Sequence, residues 1–303
     1  MAFIKYYFSR YFLLLLAACL LGLYFPQAEV AGTYIILPLL TIALSLTLLR
    51  MPRGFFRKPL TLLSPALQGV GLNYLLLGNI IIITSIFLIR QESLWVGMLL
   101  IAAVPPAVAV LPLSNWLKSD QRLSVAGMAG AYAGALFIIP LIAIAFFKYI
   151  PVNYYDIIIL ALALVFLPLI ISRLAVDNDW DKIVEPYEKI ITDICFFIVF
   201  YTMIASNNLF LLNRAWELSL IVIIAILTTF VLGYIIRKIG LFFNYPADKI
   251  NAFVILGTMK NNILAGGVAL IIFKSEAALP AIVFVIISCF YSIWLKYQSR
   301  HNR

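Results

Sequence analysis

Apolar residues in this chain form long runs that are separated by short polar and basic segments. Runs of about 20 apolar residues, the length that crosses a bilayer as a helix, are centred near residues 19, 40, 77, 103, 135, 163, 197, 224, 260 and 285. The pattern predicts an all-α polytopic membrane protein with ten transmembrane helices in a single membrane domain. We place the boundary between two five-helix halves near residue 150. Residues 1–176 therefore hold the first half together with helix 6, the first helix of the second half, and residues 177–303 hold helices 7–10.

Two of these spans are interrupted. Residues 255–267 place Lys260 between two apolar runs, and a charge at the bilayer centre costs at least about 2.5–3.5 kcal/mol on insertion scales, which makes an intramembrane lysine a functional-site hypothesis. Gly257, Gly266 and Gly267 flank this polar cluster, and we expect them to let the helix unwind there.

The other interrupted span is the fourth, which contains several prolines, Pro105 and Pro112 among them, and then turns polar. It holds the same position in the first half that residues 255–267 hold in the second half. Two halves with an odd number of spans each are inverted relative to one another, and interrupted segments at corresponding positions indicate a transporter binding site near the bilayer midplane. The sequence therefore predicts two inverted five-helix repeats whose fourth helices build the site.

Basic residues are distributed unequally between alternate loops. Of the 22 Lys and Arg residues, only Arg90, Lys148, Arg214 and Lys274 fall on one side of the predicted spans, and Lys260 falls within a span. The other seventeen fall on the opposite side. Because an excess of Lys and Arg marks the cytoplasmic side, this pattern predicts that both termini are cytoplasmic, in the inner or plasma membrane of a bacterial or archaeal cell.

Composition excludes several classes of protein. With 64% hydrophobic and 12% charged residues and a mean hydropathy of +1.06, the chain is unlike soluble domains, in which about 25% of residues are charged. Its partner is the lipid bilayer, and nucleic-acid binding is not expected because the basic residues set orientation. Cys19, Cys195 and Cys289 lie in apolar runs and His301 lies at the tail, so we expect no metal site and no cofactor. No glycine-rich phosphate loop occurs, so ATP-driven transport would need another subunit. We expect a secondary transporter, with no ATP-binding subunit and no enzymatic activity.

Two segments carry a resemblance to a known family. The first is LSNWLKSD at residues 113–120, followed by LSVA at 123–126, and the second is GTMKNN at 257–262. Both resemble elements of the bile acid:sodium symporter family, and the resemblance covers most of the chain. It implies a ten-helix fold of two inverted five-helix repeats in which helices 4 and 9 are broken and cross, forming a substrate cavity and two sodium sites.

The resemblance also implies roles for individual residues. Ser114, Asn115 and Ser124 match sodium-ligating positions of the first site, and Asn73 matches a ligand of the second. The positions implied in substrate binding are Pro112, Thr258, Lys260, Asn261 and Asn262, and those implied in ion coupling are Asn73, Ser114, Asn115, Ser124, Met259 and Lys260.

Three positions depart from the family pattern. Leu256 stands where the family has a glutamate, Lys260 where it has a glutamine, and Met128 where it has a threonine. A leucine with a protonated lysine has the same net charge as a glutamate with two bound sodium ions. We therefore expect Lys260 to replace the bound cations, the sodium positions Ser114, Asn115, Ser124 and Asn73 to be vestigial, and transport to be independent of sodium.

These inferences converge on a secondary transporter of a small or amphipathic organic anion, bile-acid-like or a carboxylate or sulfonate, that works by alternating access. Three alternatives remain open from the sequence. They are a sodium symporter with rebuilt ion sites, proton coupling or uniport in which Lys260 titrates, and a membrane receptor or scaffold that does not transport. Asp193, about two turns into helix 7, is interpreted as an interfacial residue rather than a proton carrier.

Overall fold

The regular secondary structure of the described residues consists of helices. The computed structural model describes residues 2–49, 59–147 and 154–301. The α-helices are α1 (Ala2–Tyr24), α2 (Glu29–Leu49), α3 (Pro59–Val70), α4 (Asn79–Leu88), α5 (Glu92–Ala103), α6 (Val110–Trp116), α7 (Gln121–Phe146), α8 (Tyr154–Asp177), α9 (Trp180–Ala205), α10 (Asn208–Asn213), α11 (Ser219–Ile226), α12 (Leu232–Phe242), α13 (Ala247–Leu256), α14 (Asn262–Ile272) and α15 (Leu279–His301).

Five helical stretches within the described residues are long and apolar enough to cross a membrane. They are Leu62–Leu88, Gln121–Phe146, Ile158–Asp177, Ala215–Phe242 and Ser275–Ser299. Each has at least 20 residues, the length that spans the hydrocarbon core. These helices identify an all-α membrane protein, as the pattern of apolar runs predicts.

Large apolar side chains on the outer faces of the helices agree with this assignment. Leu13 of α1, Phe137 of α7, Ile159 of α8, Ile223 of α11 and Phe290 of α15 are all exposed. So many exposed large apolar side chains are unusual for a soluble monomer. Lipid tails are its natural surroundings, whereas the polar residues discussed below lie inside the bundle.

Two π-helical segments continue helices without ending them. Gly71–Gly78 joins α3 to α4, and Leu227–Val231 joins α11 to α12. A π segment inserts extra residues into a helix and rotates the side chains that follow, and such segments often occur at functional sites. The first of them contains the fully buried Asn73.

The fourth predicted span is divided into α5 and α6 by residues 104–109, which we term the first break. Pro105 and Pro106 cause it, because proline lacks a backbone donor and drives the preceding residue into an extended conformation. Val104 has this conformation, with φ −70° and ψ 152°. Pro112 lies inside α6, where it is tolerated because the first turn of a helix has no use for its missing N–H.

The ninth predicted span is divided into α13 and α14 by residues 257–261, the second break. Gly257 ends α13. Gly266 and Gly267, by contrast, lie within α14 and do not unwind it. Their small size lets neighbouring helices approach closely, because a Cβ at Gly267 would lie 2.7 Å from Cδ1 of Leu40 on α2.

The two breaks contact each other. The backbone N–H of Asn261 in the second break donates to the carbonyl of Pro105 in the first, at 3.0 Å. Nearly all of α5 and α14 is buried, and they contact each other as well as α15. The breaks therefore lie at the centre of the bundle, where unpaired backbone groups must find partners inside the protein.

Candidate functional site

A cavity of about 320 Å³ lies beside the two breaks. Its walls come from the first break and α6, from the second break and the start of α14, and from α9 and α15. Its volume is within the usual range of small-molecule sites. The polar residues on its walls include Asn115, Glu188, Lys189, Asp193, Asn261 and Asn262.

Lys260 lies in the second break and is only 3% exposed. Its Nζ donates to Oδ1 of Asn73 at 2.8 Å and to the carbonyls of Ala102 at 2.8 Å and Val104 at 2.9 Å. An ammonium has three donors, so each has an oxygen partner. The Tyr74 ring centroid lies 4.4 Å away, a favourable cation–π contact.

These oxygens form an electrostatic site for a cation. The carbonyl of Ala102 belongs to the C-terminal end of α5, which carries the negative end of the helix dipole, and that of Val104 belongs to the first residue of the first break. Together with Asn73 they replace the water that a buried ammonium loses. The side chain of Lys260 therefore occupies an oxygen cage that joins the first break to the second.

Asn73 holds this arrangement from a third element. Its Nδ2 donates to the carbonyl of Met259 at 3.2 Å and to that of Leu256 at 3.4 Å, while its Oδ1 accepts from Lys260. The π segment Gly71–Gly78 thus connects to the second break through one amide. Of the residues implied in ion coupling, the structure brings Asn73, Met259 and Lys260 together.

Ser114 and Ser124 form a separate group that Ser119 connects. The carbonyl of Ser114 accepts from the backbone N–H of Ser119 at 2.9 Å and from its Oγ at 3.1 Å. Oγ of Ser119 lies 3.2 Å from Oγ of Ser124, which donates to the carbonyl of Asp120. Within residues 2–49, 59–147 and 154–301, Oγ of Ser114 has no hydrogen-bond partner.

Asn115 belongs to neither group, because its exposed side chain is on the cavity wall. The residues implied in ion coupling therefore divide into an occupied cage around Lys260, a buried serine cluster and one cavity-lining amide. Pro112 also lines the cavity. Thr258 is not on the described cavity wall, and its Oγ1 donates to the carbonyl of Val254 at 2.6 Å.

Asn261 and Asn262 occupy the start of α14 and line the cavity, each 4% exposed. Oδ1 of Asn261 caps the helix by accepting from the backbone N–H of Leu264 at 3.2 Å, and Nδ2 of Asn262 donates to Oγ of Ser288 at 3.2 Å. Nδ2 of Asn261 and Oδ1 of Asn262 have no hydrogen-bond partner in the part of the chain that the structure describes. Both amides therefore retain capacity to bind a ligand.

One wall of the cavity was not anticipated from the sequence. Glu188, Lys189, Thr192, Asp193 and Phe196 of α9 all line it. Their spacing places them on one helix face, a signal that the sequence contained, although of these residues only Asp193 was interpreted, as an interfacial residue. Glu188 is 8% exposed and Asp193 is 6% exposed, so this face brings two buried carboxylates and a lysine to the site.

Contacts differ at the two ends of the broken helices. Beyond α14, Nε2 of Gln91 donates to Oε2 of Glu276 at 2.8 Å, and the rings of Phe147 and Phe273 have centroids 5.6 Å apart. At the α6 end, the backbone N–H of Asp120 donates to the carbonyl of Asp248 at 3.0 Å. The cavity lies on the α6 side of the breaks, where Trp116 is part of its wall.

Comparisons with known proteins add no assignment, since no protein-family model matches this chain and a search of curated proteins found no match. Among the described residues, no group of three or more His, Cys, Asp or Glu side chains is placed to hold a metal ion. The chemistry of the site must therefore be inferred from its own geometry. That geometry consists of a caged ammonium, two partly unpartnered amides and a wall that carries both signs of charge.

Proposed function

We propose that this protein is a secondary transporter of a small or amphipathic organic anion, with a fold similar to that of the bile acid:sodium symporter family. The observation that carries the proposal is the ammonium of Lys260, which is bonded across two contacting helix breaks beside a ligand-sized cavity. Irregular backbone at membrane depth is tolerated where it is buried or lines a cavity, and it builds the substrate sites of transporters.

The proposed architecture has ten membrane-spanning units in two inverted halves. The first half comprises α1, α2, α3 with α4, α5 with α6, and α7, and the second comprises α8, α9, α11 with α12, α13 with α14, and α15. A repeated order of irregularities supports the division. In each half a π segment in the third unit, Gly71–Gly78 or Leu227–Val231, precedes a break in the fourth. An inverted repeat accounts for this recurrence.

Independence of sodium is part of the proposal. A sodium ion needs a cage of oxygen ligands, and the oxygens of Asn73, Ala102 and Val104 are already bonded to the ammonium of Lys260. Leu256 and Met128, which replace oxygen-bearing residues of the family, are fully buried and apolar. A second cation at this position would meet both a filled cage and a like charge.

The start of α14 supports the choice of an anionic group on the substrate. The positive end of the α14 dipole faces the cavity at Asn261 and Asn262. The free Nδ2 of Asn261 adds a donor there. A carboxylate or sulfonate in the cavity would be bound by both.

Alternating access supplies the mechanism. The cavity lies on the side that the distribution of Lys and Arg assigns to the cytoplasm, so we assign the structure to an inward-facing state. Substrate release to the other side requires separation of Phe147 from Phe273 and of Gln91 from Glu276. Closure between α6 and α9 would then cover the cavity.

Counterflow in proteoliposomes tests transport. Vesicles loaded with unlabelled taurocholate or octanoate, and diluted into a trace of the same labelled compound, should accumulate label transiently in potassium buffer when they contain the protein. Protein-free vesicles are the control. The Asn261→Ser variant keeps a capping oxygen but removes the Nδ2 donor, so it should lose at least about tenfold in initial rate. A folded protein that gives no counterflow with either compound would favour the receptor or scaffold.

A further inference from the structure

The cavity wall carries both positive and negative charge. Glu188 and Asp193 are acidic residues of the α9 face, and Lys189 and Lys260 are the basic residues that line the cavity. Two negative and two positive formal charges cancel. A ligand with no net charge leaves the site neutral, whereas a simple anion or cation adds an unbalanced charge to a partly buried site.

The charges are not mixed uniformly. The ammonium of Lys260 is fixed at the breaks by three oxygens, next to the positive end of α14. Both carboxylates belong to α9, which supplies a different wall and also carries Lys189, so that wall has two acidic groups and one basic group. The cavity therefore has a positive region at the breaks and carboxylates on the α9 wall, and a ligand with charges at its two ends complements it better than a uniformly neutral one.

Unpartnered polar atoms indicate that this space is built for a ligand. Within the described chain, Nδ2 of Asn261, Oδ1 of Asn262 and Oγ1 of Thr192 have no hydrogen-bond partner. These residues are 4%, 4% and 8% exposed, and all three line the cavity. Buried polar atoms are rarely left without a partner. The two amides lie at the positive region, and Thr192 lies on the α9 face between the two carboxylates.

We propose that the substrate is a zwitterion. Its anionic group binds at the start of α14, where Nδ2 of Asn261 is a donor, and its ammonium group binds on the α9 wall at Asp193 and Glu188. This inference rests on the proposed function and narrows its substrate class from organic anions to those that also carry an amine.

A matched series of probes tests this assignment by isothermal titration of the protein in lipid nanodiscs. Octanoate, 8-aminooctanoate and octylamine share a chain length and differ in charge. We expect 8-aminooctanoate to bind at least about tenfold more tightly than either of the others, because only it complements both regions. Asp193→Asn and Glu188→Gln should each reduce its affinity about tenfold and leave octanoate binding unchanged or stronger.

Glu185→Gln is the matched control, because Glu185 is an exposed acid of the same helix. It should leave both affinities within about twofold, and the melting temperature of each variant shows whether it folds. Octanoate binding equal to or tighter than 8-aminooctanoate binding would overturn the inference, as would failure of 8-aminooctanoate to bind. If octanoate shows counterflow in that case, the proposed transport function is retained and only the zwitterion assignment is refuted. Tight, Asp193-dependent binding of 8-aminooctanoate without counterflow of any probe would retain the zwitterion site and refute transport.

Discussion

Removing a charge from water is costly for any side chain, and Lys260 shows how a protein interior compensates for it. Its ammonium is bonded to one amide and two carbonyl oxygens that come from two different parts of the fold. Each bond to a charged group contributes about 1.5–3 kcal/mol. The lysine therefore fastens the two breaks together and does not remain as an unpaired charge.

Lys260→Met tests this structural contribution. The substitution keeps an unbranched side chain and removes the charge, leaving the oxygens of Asn73, Ala102 and Val104 without their donor. Buried acceptors left without a partner cost about 1–3 kcal/mol each. We expect the melting temperature in detergent to fall by at least about 4 °C.

The control for this variant is Lys182→Met, since Lys182 is exposed and forms a surface ion pair with Asp179 at 2.9 Å. Such pairs contribute about 0–1 kcal/mol, so its melting temperature should change little. Equal melting temperatures for the Lys260→Met protein and the unsubstituted protein would show that the cage does not stabilise the crossing.

At the scale of single residues, the sequence predicts the positions of side chains better than their backbone partners. The depth of Lys260 could be predicted because apolar runs flank it. Its carbonyl partners at Ala102 and Val104 could not, because backbone oxygens leave no trace in side-chain identity and come together only when α5 ends against the second break. The position of Asp193 on the cavity wall could not be predicted for a related reason, since an acid near the end of an apolar span has the same sequence pattern at an interface and on a cavity wall.

At the scale of elements, the crossing of α3 and α7 positions the π segment. A Cβ at Gly69 would overlap the backbone of Gly127, and a Cβ at Gly127 would lie 2.6 Å from Cδ1 of Leu256 on α13. Small residues thus let three helices approach closely, as small residues at helix interfaces do in membranes. Asn73 follows one turn after Gly69 and reaches the carbonyls of the second break because of this approach.

Gly69→Ala should therefore disturb the site as well as the packing. One methyl group forces α3 and α7 apart, at a cost of about 1–3 kcal/mol for an overpacked contact, and moves Asn73 away from Lys260. We expect a lower melting temperature and weaker binding of cavity ligands.

The chain contains a matched control two residues away. A Cβ at Gly71 would have no atom within 4 Å, so Gly71→Ala should leave stability unchanged or raise it slightly through helix propensity. If the two variants have equal melting temperatures, close approach of α3 to α7 is not what positions the π segment.

The sequence predicted interrupted fourth and ninth spans, and both breaks occur, but their causes were only partly identified. Of the three prolines in the fourth span, Pro105 and Pro106 break the helix, whereas Pro112 falls in the first turn of α6. Helical glycines such as Gly267 serve packing. Proline and glycine have different effects according to their position relative to a helix start, which depends on tertiary contacts.

For the molecule as a whole, orientation in the membrane is a prediction that two exposed positions can test. Asn178 lies between α8 and α9, and Asn213 ends α10. In a chain with its three cysteines replaced by alanine, Asn213→Cys should react with a membrane-impermeant maleimide in intact cells. Asn178→Cys should react only after permeabilisation, because the excess of Lys and Arg places its loop in the cytoplasm. The reverse labelling pattern would invert the topology and place the cavity on the outside.

The effect of sodium on ligand affinity also concerns the whole molecule, because it involves the oxygen cage, both breaks and the cavity. Titration of 8-aminooctanoate or octanoate should give the same affinity in sodium, potassium and choline buffers, because the ammonium of Lys260 fills the oxygen cage. A sodium-specific gain in affinity would show that other oxygens, such as those of the cluster formed by Ser114, Ser119 and Ser124, bind the ion.

Restoring the missing oxygen ligands should make ligand binding depend on sodium. Lys260→Gln removes the competing charge and supplies the amide of the family pattern, Leu256→Glu adds a carboxylate, and Met128→Thr adds a hydroxyl on α7 one turn after Ser124. A hard cation binds where several oxygens converge and no like charge is near. The triple variant should therefore bind its ligand more tightly in sodium than in potassium, whereas Lys260→Gln alone should lack part of the ligand set and show little preference. If the triple variant folds and remains indifferent to sodium, the charge of Lys260 is not the replacement for a bound cation, and the cage serves only to hold the two breaks together.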